Sequence, residues 1–224
     1  KRIIRVTPSG WEIEADQRHA DTVLRQLHIQ KGVTSPAEDN TTIEEGDELK
    51  LPSTQASLYR QIAARLNYLA QDRPDIQYAT KEVCRGMSEP TGIHWKRIKR
   101  LGRYLLNNPR AIMRFDWQEP QFQNQSYSDS DFAGCRDTAK STSGGMIMNG
   151  SHLIKSYSST QNTIALSSAE AELTAVVKYS CETICISQLA FDWGLELTGN
   201  MYTDSSSALA IVKRKGAGKL RHVR

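Results

Sequence analysis

No apolar stretch of this sequence approaches the roughly 20 residues a membrane span needs, and the opening KRIIRVTPSG lacks the apolar centre of a secretory leader. Insertion and export are set aside on that ground, and an intracellular protein with no membrane partner is expected. Cysteine is scarce. There are four, at positions 84, 135, 181 and 185, and only Cys181 and Cys185 lie close, at a helical i, i+4 spacing with no second pair to complete a zinc site. A disulfide framework is thereby excluded and reduced thiols are expected. No internal repeat is visible. What is present is ordinary: 224 residues, 38% hydrophobic and 24% charged, enough for one large domain or two small ones, with disorder not the default.

Charge is modest in sum and uneven in place. The formal balance is +4, yet PAEDNTTIEEGDE at 36–48 is acidic and turn-rich and reads as a solvated linker. HWKRIKRLGRY at 94–104 and KRKGAGKLRHVR at 213–224 are basic. Local basic patches on a near-neutral chain favour a nucleic-acid partner. Lys96, Arg97, Lys99, Arg100 and Arg103, with Lys213, Arg214, Lys215 and Lys219, are the candidate phosphate contacts. On the first stretch Trp95, Ile98, Leu101 and Leu105 recur at helical spacing, so the cations are expected to face solvent. KGAGK lacks the spacing and the Ser/Thr of a phosphate loop and reads as a basic turn; His222 reads as an exposed loop histidine.

Composition shifts divide the chain into residues 1–35, 36–52, 53–110 and 111–224. The first part holds a hairpin pattern, RIIRVTPSGWEIEA, and then an amphipathic helix. In the third, Leu58, Ile62, Leu66 and Leu69 mark one helix and the basic stretch another, with a break at Pro74 and a further helical segment from Asp75 to Val83. Beyond Pro109, SYSDSDFAG, GGMIMNG and HLIKSYSS are strand candidates compatible with two hairpins. A long helix from about Ser168 to Trp193 ends at Gly194, and GNMYTDSSSALAIVKRKG gives a strand, a turn at Asp204 and a helix. The expected class is α/β, with helices covering one face of a sheet.

Carboxylates from three of these elements could converge: Asp129 on a strand, Glu172 early in the long helix, Asp204 at the end of another strand. Three unpaired carboxylates repel unless cations neutralise them, and hard oxygen donors select Mg²⁺ or Mn²⁺. Two of the three have a plainer reading. Asp129 can be a turn residue, and Asp204 before SSSAL can cap a helix. Glu170, three residues after Ser167, fits a capping box, whereas Glu172 lies on a different helix face and is the better metal ligand of the two.

YSDSDFAG, KSTSGGMIMNGSHLIKSYSSTQNTIALSSAEAEL and MYTDSSSAL resemble, in order and spacing, the ribonuclease H domain of Ty1/copia-type retrotransposon polyproteins. Upstream, the pattern YR…LNYLA…RPDI…HW…RYL is similar to the segment that joins polymerase to nuclease, and residues 1–35 more weakly resemble the end of the reverse transcriptase. The resemblance implies a ribonuclease H-like mixed sheet with covering helices over 111–224, preceded by a mainly helical polymerase thumb or connection segment over 53–110. It also implies Mg²⁺-dependent cleavage of RNA in RNA–DNA hybrids, with the upstream polymerase domain of the same polyprotein as a partner. It assigns Asp129, Glu172 and Asp204 as catalytic metal ligands and leaves Asp131 as a neighbour to be told apart from Asp129.

Two departures accompany it. No YxDD polymerase motif occurs in the chain, so polymerisation is not expected of it. The family's KHID motif is met here by RHVR, with Arg224 in place of the aspartate, and the fourth acid has no counterpart. The sequence therefore reads as a nuclease incomplete at its end, with the strand around Tyr202 at an exposed edge and residual or absent activity by itself. Two other classes stay open: a catalytically impaired nucleic-acid-binding fragment of a decayed element, and an integrase or DNA exonuclease sharing the same acidic chemistry.

Overall fold

The hairpin pattern at the start resolves as β1 (Ile3–Thr7) and β2 (Gly10–Glu14), paired antiparallel with Val6 opposite Trp11. The structure is a computed structural model describing residues 2–38, 44–135 and 137–215. Its contacts divide between Trp117 and Gln118 into two units.

In the first unit, a strand not signalled by the sequence, β3 (Ile112–Asp116), returns to pair with β2 and completes a three-stranded antiparallel sheet. Helix α1 (Gln17–Gln26) starts where the Asp16 side chain accepts from the Arg18 amide. Helices α2 (Ser53–Leu69), α3 (Gln77–Arg85) and α4 (Gly92–Asn107) follow, with a 3₁₀ turn at Pro74–Ile76, where proline is tolerated because its missing N–H falls in the first turn. Periodic apolar positions explain the packing: Val23, Ile62, Leu66, Ile76, Ile98, Leu101 and Leu105 are all fully buried in one cluster. Burying each such side chain contributes about 1.5–3 kcal/mol, which is why these helices assemble at all. Buried Arg73 is held by Asp75 and by the Asn108 carbonyl.

The second unit is a four-stranded mixed sheet. Strands β4 (Gln123–Ser130), β5 (Thr142–Asn149) and β6 (His152–Thr160) form successive antiparallel pairs, and β7 (Thr198–Tyr202) pairs parallel with β4, giving the order β6-β5-β4-β7. A parallel pair needs a crossover, and helix α5 (Ser168–Asp192) supplies it, packing on β4, β5 and β7. Gly194, at φ +80°, ends the helix in a conformation that glycine tolerates best. Helix α6 (Ser206–Lys213) packs on α5. The face of β4 turned to α5 is polar but small: Asn124, Ser126 and Ser128 are buried, and the Ser126 and Thr183 hydroxyls lie 2.5 Å apart. Small side chains let the helix sit close, and Gly145 on β5 is held to the same limit, since an added Cβ would stand 2.6 Å from the Tyr179 ring. Among the described residues, no helix is long and apolar enough to cross a membrane.

Candidate functional site

Strand β4 alternates buried and exposed positions, which leaves Asp129 exposed near its C-terminal end. Asp204 follows β7, the parallel neighbour of β4, and is also exposed. Glu172, in the first turns of α5, is buried. One carboxylate oxygen from each of the three lies within 4.8 Å of the others. The topology explains the meeting: the C-terminal ends of two parallel strands and the start of the crossover helix open at the same edge of the sheet.

Glu172 is fixed from one side only. Its Oε1 accepts the Ser130 amide at 3.2 Å, while Oε2 is buried with no hydrogen-bond partner among the described residues. Burial pushes its carboxyl above the usual glutamate range, the contacts with Ser130 oppose this, and the charges of Asp129 and Asp204 push it further up. A buried oxygen lacking a donor, on a glutamate that meets two more carboxylates, is a costly arrangement for the bare protein and a suitable one for a hard divalent cation.

The neighbouring acids are otherwise engaged. Glu170 is the third residue of α5: its amide donates to the Ser167 hydroxyl at 3.2 Å, and its Oε2 accepts from the Leu166 amide at 2.9 Å. It is a cap, one position displaced from a strict capping box. Asp131 accepts the Thr142 amide through Oδ1 and donates its own amide to the Thr142 carbonyl at 3.1 Å, so it closes the β4–β5 connection. Asp204 is not the cap of α6. That role falls to Ser205, whose hydroxyl accepts the Ala208 amide at 3.1 Å.

Two positioning residues were not singled out by sequence. Ser130 contributes through its backbone, which carries no sequence signal. Gln161 is buried, and its amide nitrogen donates to the Ser143 hydroxyl at 2.9 Å and to the Ala171 carbonyl at 2.8 Å, tying the start of α5 to β5 one residue before Glu172. It lay inside the quoted stretch SYSSTQNTIALSS, as the one long polar side chain among short ones.

No protein-family model matches the chain. It is 32% identical over 194 residues to the retrovirus-related Pol polyprotein from transposon RE2 of Arabidopsis thaliana, and 33% identical over 192 residues to that from transposon RE1 of the same plant, each covering 85% of the chain. With the retrovirus-related Pol polyprotein from transposon TNT 1-94 of Nicotiana tabacum it shares 30% over 225 residues, 95% of the chain. The chain belongs with the copia-type, retrovirus-related Pol polyproteins of transposons. It spans 13% of the length of the two Arabidopsis relatives and 16% of the tobacco one, and so matches a segment of them.

In this Pol segment the basic candidates are less free than their sequence suggests. Lys96 Nζ stands 2.6 Å from Glu44 and 2.7 Å from Asp47, and Arg100 is 2.7 Å from Glu38. Of the acidic stretch read as a solvated linker, the described Glu38, Glu44 and Asp47 meet α4, because opposite charges attract and because the Ile93 amide donates to the Asp47 carbonyl at 2.9 Å; residues 39–43 lie outside the described residues. Arg103 donates to the Lys31 carbonyl at 3.1 Å, and Lys99 lies over the Trp95 ring. Arg97 is half-buried on the same helix. Lys213, Arg214 and Lys215 are exposed at the end of α6; Lys219, His222 and Arg224 lie outside the described residues.

Proposed function

We propose that this Pol segment carries a divalent-metal-dependent ribonuclease that hydrolyses the RNA strand of an RNA–DNA hybrid, built on a ribonuclease H-like sheet. One observation carries the reading: three carboxylates from β4, α5 and the turn after β7 come within 4.8 Å, and one oxygen among them, Glu172 Oε2, is buried without a donor among the described residues. Asp129, Glu172 and Asp204 would hold Mg²⁺, with Mn²⁺ as a substitute, since all three offer hard oxygen. Held there, the metal would supply charge neutralisation and an acidified water for phosphodiester hydrolysis.

The chain's own residues do the holding. Ser130 fixes one oxygen of Glu172, and Gln161 fixes the backbone just before it. Ser205 satisfies the start of α6, which leaves the Asp204 carboxylate free of a capping role. Exposed Asp129 and Asp204 leave the cluster open to a duplex, and a 2′-hydroxyl is the group that would tell RNA from DNA. Lys96, Arg97, Lys99, Arg100 and Arg103 in the first unit, and Lys213, Arg214 and Lys215 in the second, would meet phosphates, each contact steepening the salt dependence by about 0.9 or somewhat less. A polymerase elsewhere in the same polyprotein is the natural source of such a hybrid.

The test is cleavage of an end-labelled RNA–DNA hybrid, alongside a DNA duplex of the same sequence, in Mg²⁺ or Mn²⁺ and in EDTA. Cutting confined to the RNA strand, abolished by EDTA and reduced at least ~100-fold by Asp129→Asn, is the expected result. Cutting of the DNA duplex transfers the site to the integrase and exonuclease class. Binding without any cutting, by this chain and by a version extended past Arg224, leaves a nucleic-acid-binding protein and overturns the enzymatic reading.

A further inference from the structure

The first unit contains a groove of about 610 Å³ between the residues that follow α1 and the basic side of α4, walled by Lys96, Arg97, Lys99, Arg100 and Arg103. Its acidic members are Glu38 and Glu44, and both are spent on these cations: Glu44 on Lys96, Glu38 on Arg100. The groove is therefore an anion site that the structure shows filled by the chain's own carboxylates.

Three features say that these carboxylates are exchangeable occupants. Their side chains are 71% and 51% exposed at Glu44 and Glu38, so each pairs at the surface and not inside a core. Exposed pairs contribute little net stability, because water and salt screen them and two long side chains must be held still. Arg100 has capacity left: its Nε is buried without a partner among the described residues, and Glu38 meets only its Nη1. A carboxylate that satisfies one donor of a guanidinium is a poorer match than a phosphate group, which offers more oxygens to the same fork. Asp47 differs. It is buried, accepts the Glu44 amide at 2.8 Å, and belongs to the fixed packing of 44–50 on the start of α4.

We propose that this groove binds the phosphodiester backbone of nucleic acid by exchange, with Glu38 and Glu44 standing in for two phosphates until a strand displaces them. The inference rests on the nucleic-acid reading above and deepens it: Glu38 and Glu44 set the affinity and salt sensitivity of the surface they occupy.

The experiment is fluorescence anisotropy of a labelled RNA–DNA hybrid with the full chain, in EDTA so that no cleavage interferes, across a salt series. Glu38→Gln/Glu44→Gln removes both occupants without touching a buried residue. Lys96→Gln/Arg100→Gln removes the two cations, and Glu119→Gln/Glu196→Gln, both exposed in the second unit, repeats the same change in net charge elsewhere. Exchange predicts that the first variant binds about fivefold tighter or more, with a steeper salt slope, while the charge control stays within about twofold and the cation variant weakens at least about fivefold. Unchanged or weaker binding by Glu38→Gln/Glu44→Gln, or equal tightening by the control, overturns the exchange. If Lys96→Gln/Arg100→Gln binds as the wild type does, the groove is not a nucleic-acid surface, and the reading beneath the exchange fails for this unit; hybrid cleavage by the second unit is scored separately.

Discussion

The Ser130 amide donates to Glu172 Oε1 at 3.2 Å, tying the last residue of β4 to the second turn of α5. One bond thus connects the strand that carries Asp129 to the helix that carries Glu172, and it occupies only one of the two glutamate oxygens. The other stays buried and without a donor among the described residues, on one of three clustered carboxylates. Such a group destabilises the bare fold and becomes favourable only with a cation beside it.

Glu172→Gln should therefore stabilise the metal-free protein while removing its response to metal. The carboxyl is pushed above its ordinary value by burial, so at neutral pH its ionised form works against folding. Thermal unfolding in EDTA should show the variant melting higher by about 2 °C, and Mn²⁺ should raise the wild-type midpoint but not that of the variant. A lower midpoint in EDTA would mean that the carboxylate contributes to the fold in its charged state.

Ser205→Ala and Asp204→Asn separate capping from ligation. The Ser205 hydroxyl accepts the Ala208 amide, so its loss should cost about 1 kcal/mol in urea unfolding. Asp204→Asn should unfold within about 0.5 kcal/mol of the wild type and lose metal binding. The reverse order of stabilities would return Asp204 to a capping role.

Adjacent glycines on β5 should behave oppositely. An alanine Cβ at Gly145 would stand 2.1 Å from the Tyr127 carbonyl oxygen and 2.6 Å from the Tyr179 ring, whereas at Gly144 nothing lies within 4 Å. Gly145→Ala should destabilise by about 1–3 kcal/mol and Gly144→Ala by less than about 0.5 kcal/mol, read from denaturation midpoints.

Glu14 gives the first unit an acid limit. Arg110, whose guanidinium grips both oxygens at 2.6 and 2.8 Å, and Arg5 hold its carboxyl down at about 2 against the effect of burial. Because the folded value lies below the ordinary 4.5, this stabilisation is complete above 4.5 and is lost as pH falls towards 2. The melting temperature of the wild type should fall across that window more steeply than that of Glu14→Gln. Parallel curves would show that other groups control acid unfolding.

Local patterns made much of this legible. Helix α2 was marked by Leu58, Ile62, Leu66 and Leu69, and the end of α5 by Gly194, because period and punctuation are local properties. The three carboxylates could be named because each stands at the boundary of a readable element. What escaped depends on distant partners. Strand β3 is a strand because β2, about a hundred residues earlier, offers it an edge. The acidic stretch looked solvated because nothing in its own composition reveals the cations of α4 that it meets. Ser205, and not Asp204, caps α6 because cap identity turns on a single residue of register, which composition does not set.

The most direct measurement is a titration of Mn²⁺ into the chain, following free ion by electron paramagnetic resonance, with Glu172→Gln and Glu170→Gln in parallel. The account predicts saturable binding by the wild type and by Glu170→Gln, whose amide oxygen can still accept from Leu166, and at least tenfold weaker binding by Glu172→Gln. Equal binding by wild type and Glu172→Gln, or none by the wild type, would contradict it.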